Sequence, residues 1–236
     1  MALPKLNTVT YTLKLPSTGD ELNYRPFLVK EQKNLMIAQE TEDEDIIQTA
    51  VAKSIVDCTF DKIDPWILPA FDVEYIFLKI RSKSVGDKVD LNVLCPDDEE
   101  TRVPISVDLS EIECTMHVGH TNEIELTEDI KIVMKYPTMK DVMIGGKTGR
   151  GETETLFEMI KTCINQVIDG DTIHEKVDMS NEELTDFVEG MTTEHLEQIT
   201  NFFDSMPKLT HAIKVKNPKT GKTGEVVLEG FQSFFE

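Results

Sequence analysis

Two stretches of this chain repeat the outline of a zinc knuckle without most of its ligands. One runs over 93–98, Val93-Leu94-Cys95-Pro96-Asp97-Asp98, and continues to 107. The other is Val215-Lys216-Asn217-Pro218-Lys219-Thr220-Gly221, continuing to 228. Each has an alternating strand, a Pro turn and a second alternating strand. A knuckle needs a Cys-Pro-x-Cys type of turn, because two thiolates must reach one tetrahedral ion. The first copy keeps only Cys95, and the second has Asn217 and Thr220 at its two ligand positions. The expectation is hairpins that fold by strand pairing alone, with the metal chemistry gone. That favours a structural or assembly role over catalysis.

Charge narrows the partners. The chain has 24 basic and 44 acidic residues, a net charge of −20. Such a surface repels phosphate backbones and anionic lipid heads, so nucleic acid and membrane surfaces are not expected partners. No apolar run approaches the roughly 18 residues of a membrane helix, and Met1-Ala2-Leu3-Pro4-Lys5 does not read as a signal segment. The four cysteines are far apart in sequence. They form no disulfide framework, and a reducing cytosol is expected.

Periodicity outlines the elements. Val9, Tyr11, Leu13 and Leu15 share one strand face, and a turn at 16–20 leads into a return strand over 22–29. Residues 30–39 read as helix. Behind the acidic start at 41–45, Ile46, Ile47, Ala50, Val51, Ser54, Ile55 and Cys58 make one helical face. A further helix is expected over 72–81. Strands are expected at 88–95, 101–109, 111–118, 122–127 and 129–136, forming a small central β subdomain. Four glycines in 145–151 mark a linker or loop. A helix over 152–168 carries the stripe Leu156, Met159, Ile160, Cys163, Ile164 and Val167. Ser180 with Glu183 forms a capping box, and Thr192 caps the following helix. The hairpin at 210–228 and Phe231, Phe234 and Phe235 close the chain. The fold class is therefore α+β in four segments. They are an N-terminal hairpin with helices (1–84), a central β subdomain with the first degenerate knuckle (85–144), a Gly-rich linker (145–151), and a helical part ending in the degenerate zinc-knuckle-like hairpin (152–236).

Catalytic motifs are scarce. Cys95, Cys114, His117 and His120 give C-x18-C-x2-H-x2-H, a set of four possible zinc ligands. Residues two apart on a strand share a face and residues three apart do not, so one strand cannot present Cys114, His117 and His120 together. No zinc or other cofactor is expected, and a zinc-dependent binding module is the rival from another class. Gly146-Lys147-Thr148 shares the end of a phosphate-binding loop, but Asp141 occupies the position where that motif needs Gly. Cys58 and Cys163 lie in apolar stripes and read as core residues. No nucleophile–base constellation emerges, so neither an enzyme nor a small-molecule substrate is expected.

Four blocks in register resemble a known family. They are Asn23-Tyr24-Arg25-Pro26-Phe27-Leu28-Val29-Lys30-Glu31-Gln32-Lys33, the segment at 77–86, Met134-Lys135-Tyr136-Pro137-Thr138, and the segment at 199–211 containing Phe202-Phe203-Asp204-Ser205-Met206-Pro207. Their order is similar to the baseplate hub proteins of T-even-type phages, across about the whole chain. The resemblance implies a non-enzymatic part in building the central baseplate hub, as a subunit or as an assembly chaperone. Its implied partners are other hub or tape-measure proteins, in host cytoplasm or in the tail. Many members carry Cys-Pro-x-Cys turns in one or both hairpins; this chain departs at Asp98, Asn217 and Thr220, so zinc does not carry over. The contact elements nominated are the Tyr24, Arg25, Pro26, Phe27 corner and Phe231, Phe234 and Phe235. Intramolecular packing is the plain alternative for both.

Overall fold

The computed structural model describes residues 7–98, 100–147 and 151–229. In chain order its elements are β1 (Tyr11–Lys14), β2 (Glu21–Tyr24), α1 (Val29–Gln39), α2 (Glu44–Cys58), α3 (Ala70–Val85), β3 (Lys88–Leu94), β4 (Arg102–Asp108), β5 (Glu113–Thr115), β6 (Glu123–Glu125), β7 (Ile130–Met134), α4 (Met139–Lys147), α5 (Glu152–Cys163), β8 (Ile164–Asp169), β9 (Thr172–Glu175), α6 (Asn181–Glu189), α7 (Thr193–Ser205), β10 (Lys208–Lys216) and β11 (Thr223–Glu229). The mixture of helices with small antiparallel sheets is α+β, as the periodicity implied.

Contacts divide the chain into two units, Met1–Thr115 with Pro207–Glu236, and Met116–Met206. These boundaries differ from the four segments drawn from the sequence.

In the first unit, β1 and β2 pair with Tyr11 opposite Tyr24 and Leu13 opposite Leu22. Asp43 caps α2 by accepting the N–H groups of Asp45 and Ile46, and its charge also suits the positive end of the helix. Gly86, at φ +119, turns the chain out of α3. Hairpin β3–β4 and hairpin β10–β11 share one core with Leu78 of α3. Alternation in β3 turns Leu91, Val93 and then Cys95 inward. Alternation in β10 does the same for Ile213, Val215 and then Asn217. The strands of the expected central subdomain do not stay together. β3 pairs with β4, β5 joins β10 and β11, and β6 and β7 enter the second unit.

The second unit is a four-stranded antiparallel sheet, β6-β7-β8-β9, packed with α5, α6 and α7. The helix expected over 152–168 stops at Cys163, and the chain continues as β8. Ile160, Ile164 and Val167 fit a helical stripe, but Ile164 and Val167 also suit a strand facing the same core. Pairing of Val167 with Ile132 and of Ile168 with Lys131 decides the matter. Gly145, expected in a linker, lies within α4. Thr148, Gly149 and Arg150 of that segment are outside the described residues. The capping box of Ser180 with Glu183 forms as read, and so does the Thr192 cap.

Candidate functional site

The tips of the two knuckle-like hairpins meet in the first unit. Asn217 is 1% exposed, because it continues the inward face of β10 one step past the strand. Its side-chain amide donates to Asp97 Oδ1 at 2.8 Å and to Asp98 Oδ2 at 2.9 Å. The Thr220 hydroxyl donates to the other oxygen of Asp97. Asp98 also receives the N–H groups of Glu100 and Thr101 and the Thr101 hydroxyl. On the far side, Asn217 Oδ1 accepts from the backbone of Lys219 at 2.8 Å. Two carboxylates and one buried amide therefore clasp two turns about 120 residues apart in sequence. The expectation of hairpins held by strand pairing alone is corrected, since a side-chain network joins them. Pro96 packs so closely on β11 that a Cβ at Gly224 would lie 2.5 Å from the ring.

Electrostatics favours the ionised clasp. Hydrogen bonds from Thr220 and Asn217 hold Asp97 below the usual carboxylate range. Those from Thr101 and Asn217 hold Asp98 well below it. Cys95 is shifted the other way: burial, with Asp98 and Asp97 near, pushes its thiol up. Among the described residues no group of three or more His, Cys, Asp or Glu side chains is arranged to hold a metal ion.

Of the other metal candidates, Cys114 belongs to the first unit and His117 and His120 to the second. Cys114 is on β5 in the first unit, its thiol pushed up to about 12 by burial with Asp72 and Glu74 nearby. His117 is exposed and belongs with His120 to the second unit. His120 has Nδ1 on Ser205 Oγ at 2.9 Å and Nε2 on the Tyr136 hydroxyl at 3.0 Å. Its ring lies 5.2 Å from that of Phe202, and burial lowers its pKa. Both ring nitrogens are thus engaged, by Ser205 and Tyr136, while the ring face packs near Phe202. The thiols of Cys58 and Cys163 are also pushed up to about 12 by burial, which leaves them protonated near neutral pH.

The corner nominated for contacts is occupied within its own unit. Tyr24 is buried with its ring 5.7 Å from Tyr11, and Phe27 lies 5.6 Å from Phe77. Arg25 is buried and donates to Glu31 Oε1 at 2.8 Å. Pro26 turns its carbonyl to the Arg25 guanidinium. Glu31, 1% exposed in its side chain, also accepts the Leu28 N–H at 2.7 Å. Burial raises the Glu31 pKa, but Arg25, Lys30 and Leu28 outweigh it and the net shift is downward. Phe231, Phe234 and Phe235 are outside the described residues.

The sequence reading missed Asp97 and Glu31 as structural centres. The signal for Asp97 was the Asp pair in one turn, with Asn217 and Thr220 at the two ligand positions of the other. For Glu31 it was the spacing of a Glu three residues after the helix cap.

Comparison with known proteins agrees with the resemblance. Residues 8–236 match the family described as T4 bacteriophage base plate protein. The chain belongs to this family. It is also 26% identical to "Baseplate hub assembly protein gp26" of Enterobacteria phage T4 over 217 residues, covering 91% of this chain and 92% of that protein. No solved structure matches. The base plate family places the protein among components of phage tail structure and assembly. Among the described residues no helix is long and apolar enough to cross a membrane.

Proposed function

We propose that the protein takes a non-enzymatic part in assembling the central baseplate hub, as a subunit or assembly factor. The observation that carries this is the near end-to-end match to the base plate family, together with the similarity to a hub assembly protein. The raised cysteine pKa values and the engagement of His120 in packing support a role without bond-making chemistry. The clasp supports reading the two hairpins as degenerate knuckles. Asp98, Asn217 and Thr220 stand at positions where knuckle turns would carry ligands, and hydrogen bonds do the joining. On this reading the protein works without zinc, and its partners are other hub or tape-measure proteins. They meet it in host cytoplasm or in the tail.

Inactivating the gene in its phage tests the role. The expected result is arrested baseplates without a completed hub, visible by electron microscopy and rescued by a supplied copy. Normal tails and infectivity would overturn the proposal. Mass spectrometry of purified particles separates the two forms: a subunit is present, and a chaperone for hub or tape-measure proteins is absent. Stoichiometric zinc in protein purified without added metal would sink the metal-free reading.

A further inference from the structure

We propose that the outer face of α1, together with the turn into α2, is a docking surface for an amphipathic helix of another protein. That helix would present apolar side chains flanked by lysines or arginines. α1 is anchored to its unit in an unusual way. Only Glu31 and Ala38 of the helix are buried, and Glu31 is held by the ion pair with Arg25. The apolar residues lie elsewhere. Val29, Lys33, Met36, Ile37 and Glu40 recur at three- and four-residue spacings, which puts them on the side away from Glu31. Val29 is 81% exposed, Met36 57%, Ile37 50%, and Ile46 at the start of α2 45%. Apolar side chains clustered this way on a solvated helix mark an interaction site more than scattered exposure does. The groove of about 440 Å³ between α1 and α2, lined by Glu31 and Asn34 on α1, lies on the other side of the helix and is not part of this surface.

Charge selects the occupant. Glu40, Glu42, Asp43, Glu44 and Asp45 are all exposed at the end of the stripe. The last turn of α1 carries no basic residue, so its negative dipole end adds to their field. From position 29 to 58 there are seven carboxylates and three lysines. A second copy of a chain with net charge −20 would be repelled. A basic amphipathic helix would be drawn in by the acidic end and held by the apolar stripe. At about 1.5 Å per residue the α1 face is long enough for three turns of such a helix. This surface does not depend on which assembly the protein joins, so the inference can fail while the hub reading stands.

The test uses the purified full chain and a labelled 18-residue peptide, with leucines on one helical face and lysines on the other. A peptide of the same composition, scrambled to destroy the apolar face, is the control. Fluorescence anisotropy is expected to show saturable binding of the first peptide, at least about tenfold tighter than the scramble. M36E/I37E is expected to weaken binding about tenfold with an unchanged circular dichroism spectrum. E40K/E42K is expected to weaken it several-fold, although added lysine at the end of α1 suits the helix dipole and does not unfold it. Equal binding of both peptides, no binding of either, or binding by M36E/I37E as strong as by the parent would each overturn the proposal. So would a parent dimer in sedimentation that M36E/I37E dissolves, since the face would then belong to a second copy.

Discussion

Replacing Asn217 by Ala cuts the clasp at its centre. The substitution deletes both amide donors to Asp97 and Asp98 and the acceptor that caps the turn at Lys219. Hydrogen bonds to charged groups each contribute about 1.5–3 kcal/mol, and an orphaned buried site costs more than an exposed one. Asn217 is buried, but both carboxylates reach solvent, and water will replace part of what is lost. The low end of the range applies, about 2–4 kcal/mol in total. Trp66 is the single tryptophan and lies in the same unit as the clasp, so its fluorescence follows urea unfolding of that unit. With slopes of about 1–3 kcal/mol per M, the midpoint should fall by about 1–2 M. Asn217→Asp should be worse than Ala at pH 7, because it sets a third carboxylate against two. The pH dependence gives an independent sign. Asp97 and Asp98 have depressed pKa values in the folded protein. Their contribution is full above the unfolded value of about 3.9 and is lost as pH falls through the folded values. The gap between parent and Asn217→Ala should therefore hold steady from about pH 7 to pH 5 and narrow below about pH 4. A midpoint shift below about 0.3 M, or an Asp variant as stable as the parent, would refute the clasp as a stabilising element.

Glu31→Gln should destabilise the first unit by about 3 kcal/mol in urea unfolding, since it leaves the buried Arg25 without its counter-charge. Arg25→Met with Glu31→Met should recover most of that loss. Glu74 has its pKa raised to about 7 by burial. Its protonated form favours folding fully below about pH 4, and that contribution is lost as pH rises through 7. Glu74→Gln should match the parent near pH 4 and exceed it by about 1–3 kcal/mol at pH 8, and equal stability at both pH values would contradict the assignment. Gly224→Ala should cost about 1–3 kcal/mol, because the new methyl meets the rigid Pro96 ring 2.5 Å away; a melting curve unchanged from the parent would contradict it.

Local chemistry was legible without coordinates. The α2 helix, whose stripe is buried at Ser54, Ile55 and Cys58 while Ile46 stays exposed, the capping box of Ser180 and Glu183, and the hairpins around Pro96 and Pro218 depend on neighbours a few residues apart. Their side-chain periods and turn residues stand in the sequence. Three matters were settled only by tertiary structure. Residues 164–169 satisfy helical and strand periods alike, so the free edge of β7 chose between them. β5, too short to declare a partner, pairs with β10 so that Cys114 lies opposite Leu209. Asp97 and Asn217 are ordinary turn residues until two hairpins bring them within hydrogen-bonding distance. Spacing along one chain encodes which way a side chain faces, whereas the identity of the group it meets depends on where a distant segment comes to rest.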